Sequence, residues 1–383
     1  MNKGTLNTFL PLILFLFAAL VWRTSYYVLS LYVAITLLII FCFYNYRSVI
    51  FKSKYFSLYL FIIIWMFCSS LLNPNMMESL RLMIPIVATF LVSMSVYAIT
   101  RLNRNAPMLF IVYVLLFAIL MIINVQSSGF TTDFDYSNEL ERRGNSVLNA
   151  NEYAYYSLFA IIGWRIYFLI KDVSLNSFIL LGLYLLSASV SFFVALMIAS
   201  RQVLILQIPI LLFFFYLDFV KGNRNKSFAL IFAIIIIVAT PFVIHQYDNS
   251  YLATRSEVGF QEDARSNLMI NAFDEAIDNP IFGIGLGANA HFSHSTYTHL
   301  LSRSGIPALI AFVVIVGKCI FEQWRRYFRL KRSRFLLYWG CLIIIAIGNF
   351  TYSYLSDPFL MPIMFAIIGC SETDYQRIKK GVI

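Results

Sequence analysis

The sequence predicts an all-α integral membrane protein, a polytopic helical bundle of about 12 transmembrane helices with one large external loop. Three observations predict it. Of the 383 residues, 60% are hydrophobic and 13% charged, with a mean hydropathy of +0.76, which rules out a water-exposed globular surface. Apolar runs recur at close to the ~20 residues that a helix needs to cross the hydrocarbon of a bilayer. Their continuity excludes a β-barrel, whose strands are short and alternate. Lys and Arg, finally, are partitioned between alternate connections as topology requires.

Taken in order, spans are expected at roughly 6–22, 26–45, 55–72, 80–99, 107–125, 152–170, 176–198, 202–219, 227–246, 297–319, 335–355 and 357–371. The first follows only Lys3 and ends without a small-residue cleavage site, so it reads as a retained span and not a signal peptide. With both termini on the cytoplasmic face, that face holds 20 of the 29 basic residues, including the cluster Arg325, Arg326, Arg329, Lys331, Arg332 and Arg334. The net charge of +10 is therefore a topology signal, and no nucleic-acid partner follows from it. Arg165 is left inside a span, near enough to its end to snorkel to headgroups. The five cysteines lie in or beside apolar runs without a CxxC pattern, which supports neither a disulfide framework nor a zinc site. No repeat or low-complexity linker divides residues 1–383, so one polytopic membrane domain is expected.

Two long connections fall on the external face, about 126–151 and 247–296. The second is a polar island carrying His291 and His294, with His245 just before it and His299 just after. A loop that long among short ones is usually functional. Within it, Leu268, Met269, Ala272, Phe273, Ala276 and Ile277 recur at helical spacing, predicting an amphipathic helix at the membrane surface that Asn279-Pro280 ends. The glycines Gly283, Gly285 and Gly287 follow that stop with no βαβ unit around them, so they read as a backbone turn of close approach and not a nucleotide loop.

The candidate site residues come from this region and the span ends near it. The spacing of His291, His294 and His299 lacks a carboxylate to complete a metal set, so no metal is expected. His294 meets the next span at the external surface, where a near-neutral imidazole suits proton transfer from a sugar hydroxyl. Arg201, in ALMIASRQVLIL, sits among apolar residues at the external join of two spans, and Arg255 and Arg265 flank the amphipathic helix. Arginines converging on one membrane surface suit a phosphate or diphosphate, although headgroup anchoring is the plainer alternative. Arg303 and Asp357 are weaker candidates that also fit simple span ends.

The segment DNPIFGIGLGANAHFSHSTYTHLLSRSGIPALI resembles the signature of the O-antigen ligase/polymerase superfamily: a proline-and-glycine turn, then a histidine opening the next span. RRGNSVLNANEYAYYSL resembles that family's entry to a middle span and IASRQVLI its Ser-Arg motif, so the likeness covers about residues 140–320. Ser295, Ala150 and Gln202 depart from the family's Asn, Pro and small residue, none of them a charged position. The resemblance implies a metal-independent GT-C type glycosyltransferase of the bacterial inner membrane, with a large periplasmic loop and no cofactor. Its donor would be a glycan on undecaprenyl diphosphate. It further implies His294 as catalytic base, with Arg265 and Arg201 on the leaving diphosphate, Arg255 as a helper and Asn151 in substrate binding. The partners it implies are undecaprenyl-diphosphate-linked oligosaccharide, the lipid bilayer and a chain-length regulator.

Within that family, an O-antigen or capsular repeat-unit polymerase is preferred, with the ligase that uses lipid A-core as its acceptor the nearest alternative. A polytopic transporter or flippase is the alternative of another class. Against it, no span centre carries the paired acidic and basic residues that ion-coupled transport needs.

Overall fold

The computed structural model describes residues 3–22, 27–72, 75–102, 106–128, 150–173, 175–198, 200–222, 227–250, 253, 264–287 and 295–381, with some side chains inside these segments excepted. Among them there is helix and no strand. In chain order, α1 (Lys3–Trp22) is followed by a helical turn Tyr27–Leu29 and a π-helical run Ser30–Ile35 that leads into α2 (Thr36–Phe51). Then come α3 (Lys54–Leu71), α4 (Met76–Leu102), α5 (Pro107–Ser128), α6 (Ala150–Ile170) and α7 (Ser177–Met197). Next, α8 (Arg201–Phe215) runs into a π turn, Tyr216–Val220, and is followed by α9 (Ser227–Asp248). The chain continues through α10 (Ala264–Asp278), α11 (Thr296–Leu330), α12 (Ser333–Thr351) and α13 (Pro362–Lys379).

Among the described residues, nine helices are long and apolar enough to cross a membrane. Two shorter apolar helices, Phe9–Trp22 and Pro107–Ile123, correspond to the first and fifth expected spans. The protein is thus all-α and polytopic. The twelfth expected span differs. Instead of a helix over 357–371, the backbone leaves α12 at extended Tyr352 (φ −155, ψ 145) and resumes helix only at Pro362. Asp357 explains the delay: its Oδ1 accepts from the backbone N–H groups of Phe359 at 2.8 Å and Leu360 at 3.0 Å. Such a cap offers the chain an alternative to helix, and Pro358 supports it by disfavouring helix at Asp357. Asp357 is therefore a buried turn residue and not a plain span end.

The helices pack into two compact units, residues 1–106 with 260–383, and residues 107–259. In the first, the tightest pairing is α4 against α13, with α11 between α3 and α12. The basic ends of these helices are tied by a partly buried polar lattice. Glu322 of α11 takes Lys54 and the Tyr55 hydroxyl (3.1 Å) of α3. Glu372 of α13 takes the Tyr97 hydroxyl at 2.6 Å and Arg101 at 3.5 Å, both from α4. Arg326 spans the two carboxylates at 3.6 and 4.0 Å. Arg334 and the Tyr338 hydroxyl of α12 meet Asp374 of α13 at 3.1 and 2.9 Å. Several of the basic residues that signal topology in the sequence are thus also cross-links between helices.

In the second unit, α6 packs on α5, α7 and α8. Arg165 does not snorkel alone: its Nε and Nη2 donate to the two carboxylate oxygens of Asp218 at 3.0 and 2.5 Å, and the Tyr184 hydroxyl donates to the same carboxylate at 2.5 Å. The sequence reading missed the pair because its partners are 53 residues apart. Arg165 lies five residues before the end of α6 and Asp218 in the π turn that ends α8, so the pair belongs to helix ends and not to a mid-span ion path. Removing one partner of a buried pair strands the other charge. Asp218→Ala is expected to destabilise the detergent-solubilised protein by about 3–5 kcal/mol in a thermal unfolding assay, and the double change Arg165→Met/Asp218→Leu by clearly less.

Candidate functional site

The amphipathic helix expected in the large loop is α10, and it stops where Asn279-Pro280 predicted. Its apolar residues divide into two faces. Ala272 and Ala276 are buried, and the helix packs against α11, while Ile270, Phe273 and Ile277 are exposed, as suits a helix lying between protein and lipid. Arg265 is its second residue.

After α10 the chain makes the glycine turn, and the turn is docked into a break in α11. At Gly305 the backbone of α11 adopts φ 78, ψ −178, while Gly283 and Gly285 in the turn have φ +65 and +82. Only glycine adopts such angles without cost. The break is a closed exchange of hydrogen bonds. The Ile306 N–H, which an unbroken helix would direct to Ser302, donates instead to the Pro280 carbonyl at 2.8 Å. Ser302 in return accepts from the Ile284 N–H at 2.8 Å. The Arg303 carbonyl would face Pro307, which has no N–H to offer, and it accepts from Gly285 N–H at 3.0 Å and the Ser69 hydroxyl at 2.9 Å. The Ser304 carbonyl accepts from the Trp65 indole at 3.0 Å, which also reaches the Ile281 carbonyl at 3.2 Å.

α3 and the start of α4 complete the cradle. Trp65 stacks on Phe282 with ring centroids 5.0 Å apart and planes 7° off parallel, and Ser69 also bonds the Phe282 carbonyl. Gly287 donates its N–H to the Ser79 hydroxyl at 2.7 Å, and its carbonyl accepts from Asn75 at 3.2 Å. The Arg303 side chain is buried inside the break, where its Nη1 faces the Gly285 carbonyl at 3.4 Å and Glu275 of α10 offsets part of the cost of burying its charge. Arg303 is thus a strut between α10, the turn and α11, and not a span-end marker. Trp65, Ser69, Asn75 and Ser79 were not singled out from the sequence, because each acts across more than two hundred residues of chain.

Beyond the turn, α11 opens at Ser295, whose hydroxyl accepts from the Tyr297 N–H at 3.2 Å as an N-cap. Thr296 is fixed to α12 and the segment after it: its hydroxyl donates to Asn349 Oδ1 at 2.8 Å and accepts from the Tyr354 N–H at 3.0 Å. Ser295, one of the residues that depart from the family pattern, therefore holds a helix start in place. His294, immediately before this cap, lies outside the described residues, as do His291 and Arg255. His299 lies partly buried one turn into α11, with Arg303 one turn further on.

The other two candidates lie in the second unit. Asn151 is the second residue of α6. Arg201 is the first residue of α8, half-buried, behind an extended Ser200 whose side chain makes no cap bond. A guanidinium added to the positive end of a helix dipole is an anion-binding arrangement, since N–H groups, dipole and side chain all favour negative charge.

Residues 185–313 match the family model described as O-antigen ligase. The matched segment runs from α7 through Arg201, α10 and the glycine turn to the first half of α11, so it takes in the backbone-to-backbone hydrogen bonds between the turn and the break at Gly305, though not Trp65 and Ser69. Members of the O-antigen ligase family are glycosyltransferase-like enzymes, and the match supports the O-antigen ligase/polymerase superfamily for this chain. No curated protein matches the sequence.

The geometry of the break yields two expectations. A Cβ on Gly305 would run into the Ile281 carbonyl oxygen, whereas one on Gly317 in the same helix meets nothing within 4 Å. Gly305→Ala should therefore lower stability by more than about 2 kcal/mol in thermal unfolding while Gly317→Ala leaves it unchanged or raised. Trp65→Phe keeps an aromatic ring on Phe282 but strands two carbonyls, and is expected to cost about 1–3 kcal/mol in the same assay.

Proposed function

We propose that the protein is an O-antigen or capsular repeat-unit polymerase of the inner membrane. It transfers the growing glycan from undecaprenyl diphosphate to a sugar hydroxyl of a lipid-linked repeat unit. The observation that carries this reading is the family match across residues 185–313, with its glycine turn and the span that His294 opens. His294 takes the proton of the acceptor hydroxyl as that oxygen bonds the donor's anomeric carbon. The bond from that carbon to the diphosphate oxygen breaks, and the diphosphate leaves with the electron pair. Arg265 and Arg201, helped by Arg255, neutralise the charge that grows on the leaving group, which lowers the barrier most in a water-poor site. Asn151 contributes to binding the substrate. The donor already carries an activated leaving group, so no nucleotide, metal or other cofactor takes part.

Topology supports the placement. Lys54, Arg101, Arg326 and Arg334 gather at the basic ends of the first unit's helices, and the positive-inside rule assigns those ends to the cytoplasm. The glycine turn, at the opposite end of α3 and α11, then faces the periplasm, and both termini are cytoplasmic. A chain-length regulator is the protein partner this activity calls for.

Lipopolysaccharide banding from a deletion strain tests the reading. Loss of the gene should leave core bearing one repeat unit. Wild type should restore the ladder, and His294→Ala and Arg265→Ala should not, with both proteins still present in the membrane. Bare core with long polymer retained on the lipid carrier would identify the ligase instead. A normal ladder from His294→Ala would overturn the catalytic assignment.

A further inference from the structure

Beside the Arg165–Asp218 pair, the second unit contains a cavity of about 230 Å³, several times the roughly 30 Å³ that one water occupies. α6 forms one wall: Arg165, Phe168, Leu169 and Asp172 recur at the three- and four-residue spacing that puts them on one face. The connection from α6 to α7, the start of α7 and the π turn after α8 close the space with Val173, Leu180 and Asp218. Asp172 is placed by the turn that ends α6. Its backbone there is left-handed (φ 51), and the Val173 N–H donates back to the Phe168 carbonyl at 3.3 Å.

The polar groups of this lining set what it can hold. Arg165 is largely buried, its side chain 11% exposed, and it reaches Asp218 through Nε and Nη2 alone. Its Nη1 group meets no acceptor among the described residues, although it carries two of the five N–H donors of the guanidinium. A donor on a charged, mostly buried group calls for a partner, and an anionic oxygen is the strongest one. A simple anion fits poorly all the same, because the carboxylates of Asp172 and Asp218 outnumber the one guanidinium in the lining. A ligand with a phosphate and an ammonium a few atoms apart satisfies both.

The surroundings point to a lipid as its source. Lys171 and Lys221 are exposed at these helix ends, which the positive-inside rule assigns to the cytoplasmic headgroup layer. Val173, in the lining, is also exposed, as are Phe178 and Ile179 at the start of α7. Exposed apolar side chains at a span end face acyl chains, which a solute from the cytosol would not bring.

We infer that this cavity binds the phosphoethanolamine headgroup of a cytoplasmic-leaflet phospholipid, with the phosphate on Arg165 Nη1 and the ammonium at Asp172. The bound headgroup joins the end of α6 to the π turn of α8. The site is separate from the proposed glycan transfer and does not depend on it.

The test is native mass spectrometry of the full chain in detergent, titrated with phosphatidylethanolamine and phosphatidylglycerol of identical acyl chains. Phosphatidylethanolamine should bind about tenfold more tightly. Asp172→Asn, which removes one charge-assisted contact, should cut that preference to about threefold or less. Asn tolerates the left-handed backbone, and the change leaves the Arg165–Asp218 pair in place. Val173→Trp, which fills the cavity from a position outside the helices, should abolish the tight site. Equal binding of the two lipids, or a preference that survives both variants, would overturn the inference. Displacement of the lipid by glycerophosphoethanolamine at equal concentration would show that a soluble ligand suffices and would overturn the lipid assignment.

Discussion

A peptide carbonyl in a bilayer has no water to turn to, and a helix broken there must find a partner for every group it releases. The interruption of α11 at Gly305 imposes that demand, and the surrounding architecture answers it. The carbonyls of Ser302, Arg303 and Ser304 are met by N–H groups of the glycine turn, by Ser69 and by Trp65, while the turn's own Pro280 carbonyl takes the N–H of Ile306. Because the exchange is reciprocal, neither the turn nor the break is stable without the other. It sets where α10 ends and how closely α3 approaches, and it carries the chain toward the segment that precedes Ser295.

Charge is handled in two ways. At the basic ends of the first unit's helices, and in the Arg165–Asp218 pair of the second unit, guanidinium and ammonium groups are matched by carboxylates and tyrosine hydroxyls. These groups hold helices together and are poor candidates for chemistry. Arg201 occupies another kind of position, the N-terminus of α8, where a cation adds to the positive end of the helix dipole. The family match covers Arg201, the glycine turn and Asp218, and leaves out the Glu322–Arg326–Glu372 lattice.

Much of the fold was legible because a bilayer enforces simple rules of length and polarity. The apolar runs mark most of the helices to within a few residues, although α11 runs on to Leu330 and the last helix starts only at Pro362; the periodicity from Leu268 to Ile277 marks α10, and Asn279-Pro280 marks its end. Arg303 shows the limit. In sequence it is a polar residue near a span end, and only the packing of α10 and the turn around it makes it a buried strut. Asp357 is similar, its capping of Phe359 and Leu360 being a choice between two local hydrogen-bond patterns that composition does not decide.

What the sequence by itself determined is the membrane class, the helix positions and the identity of the glycine turn with its following histidine. These depend on neighbours in the chain and on the solvent. What the tertiary structure decided is what each exception is for: that Gly305 breaks α11 to receive the turn and that Arg165 belongs to Asp218. Each of these joins groups from a few to more than two hundred residues apart, and their pairing follows from packing that no local pattern encodes.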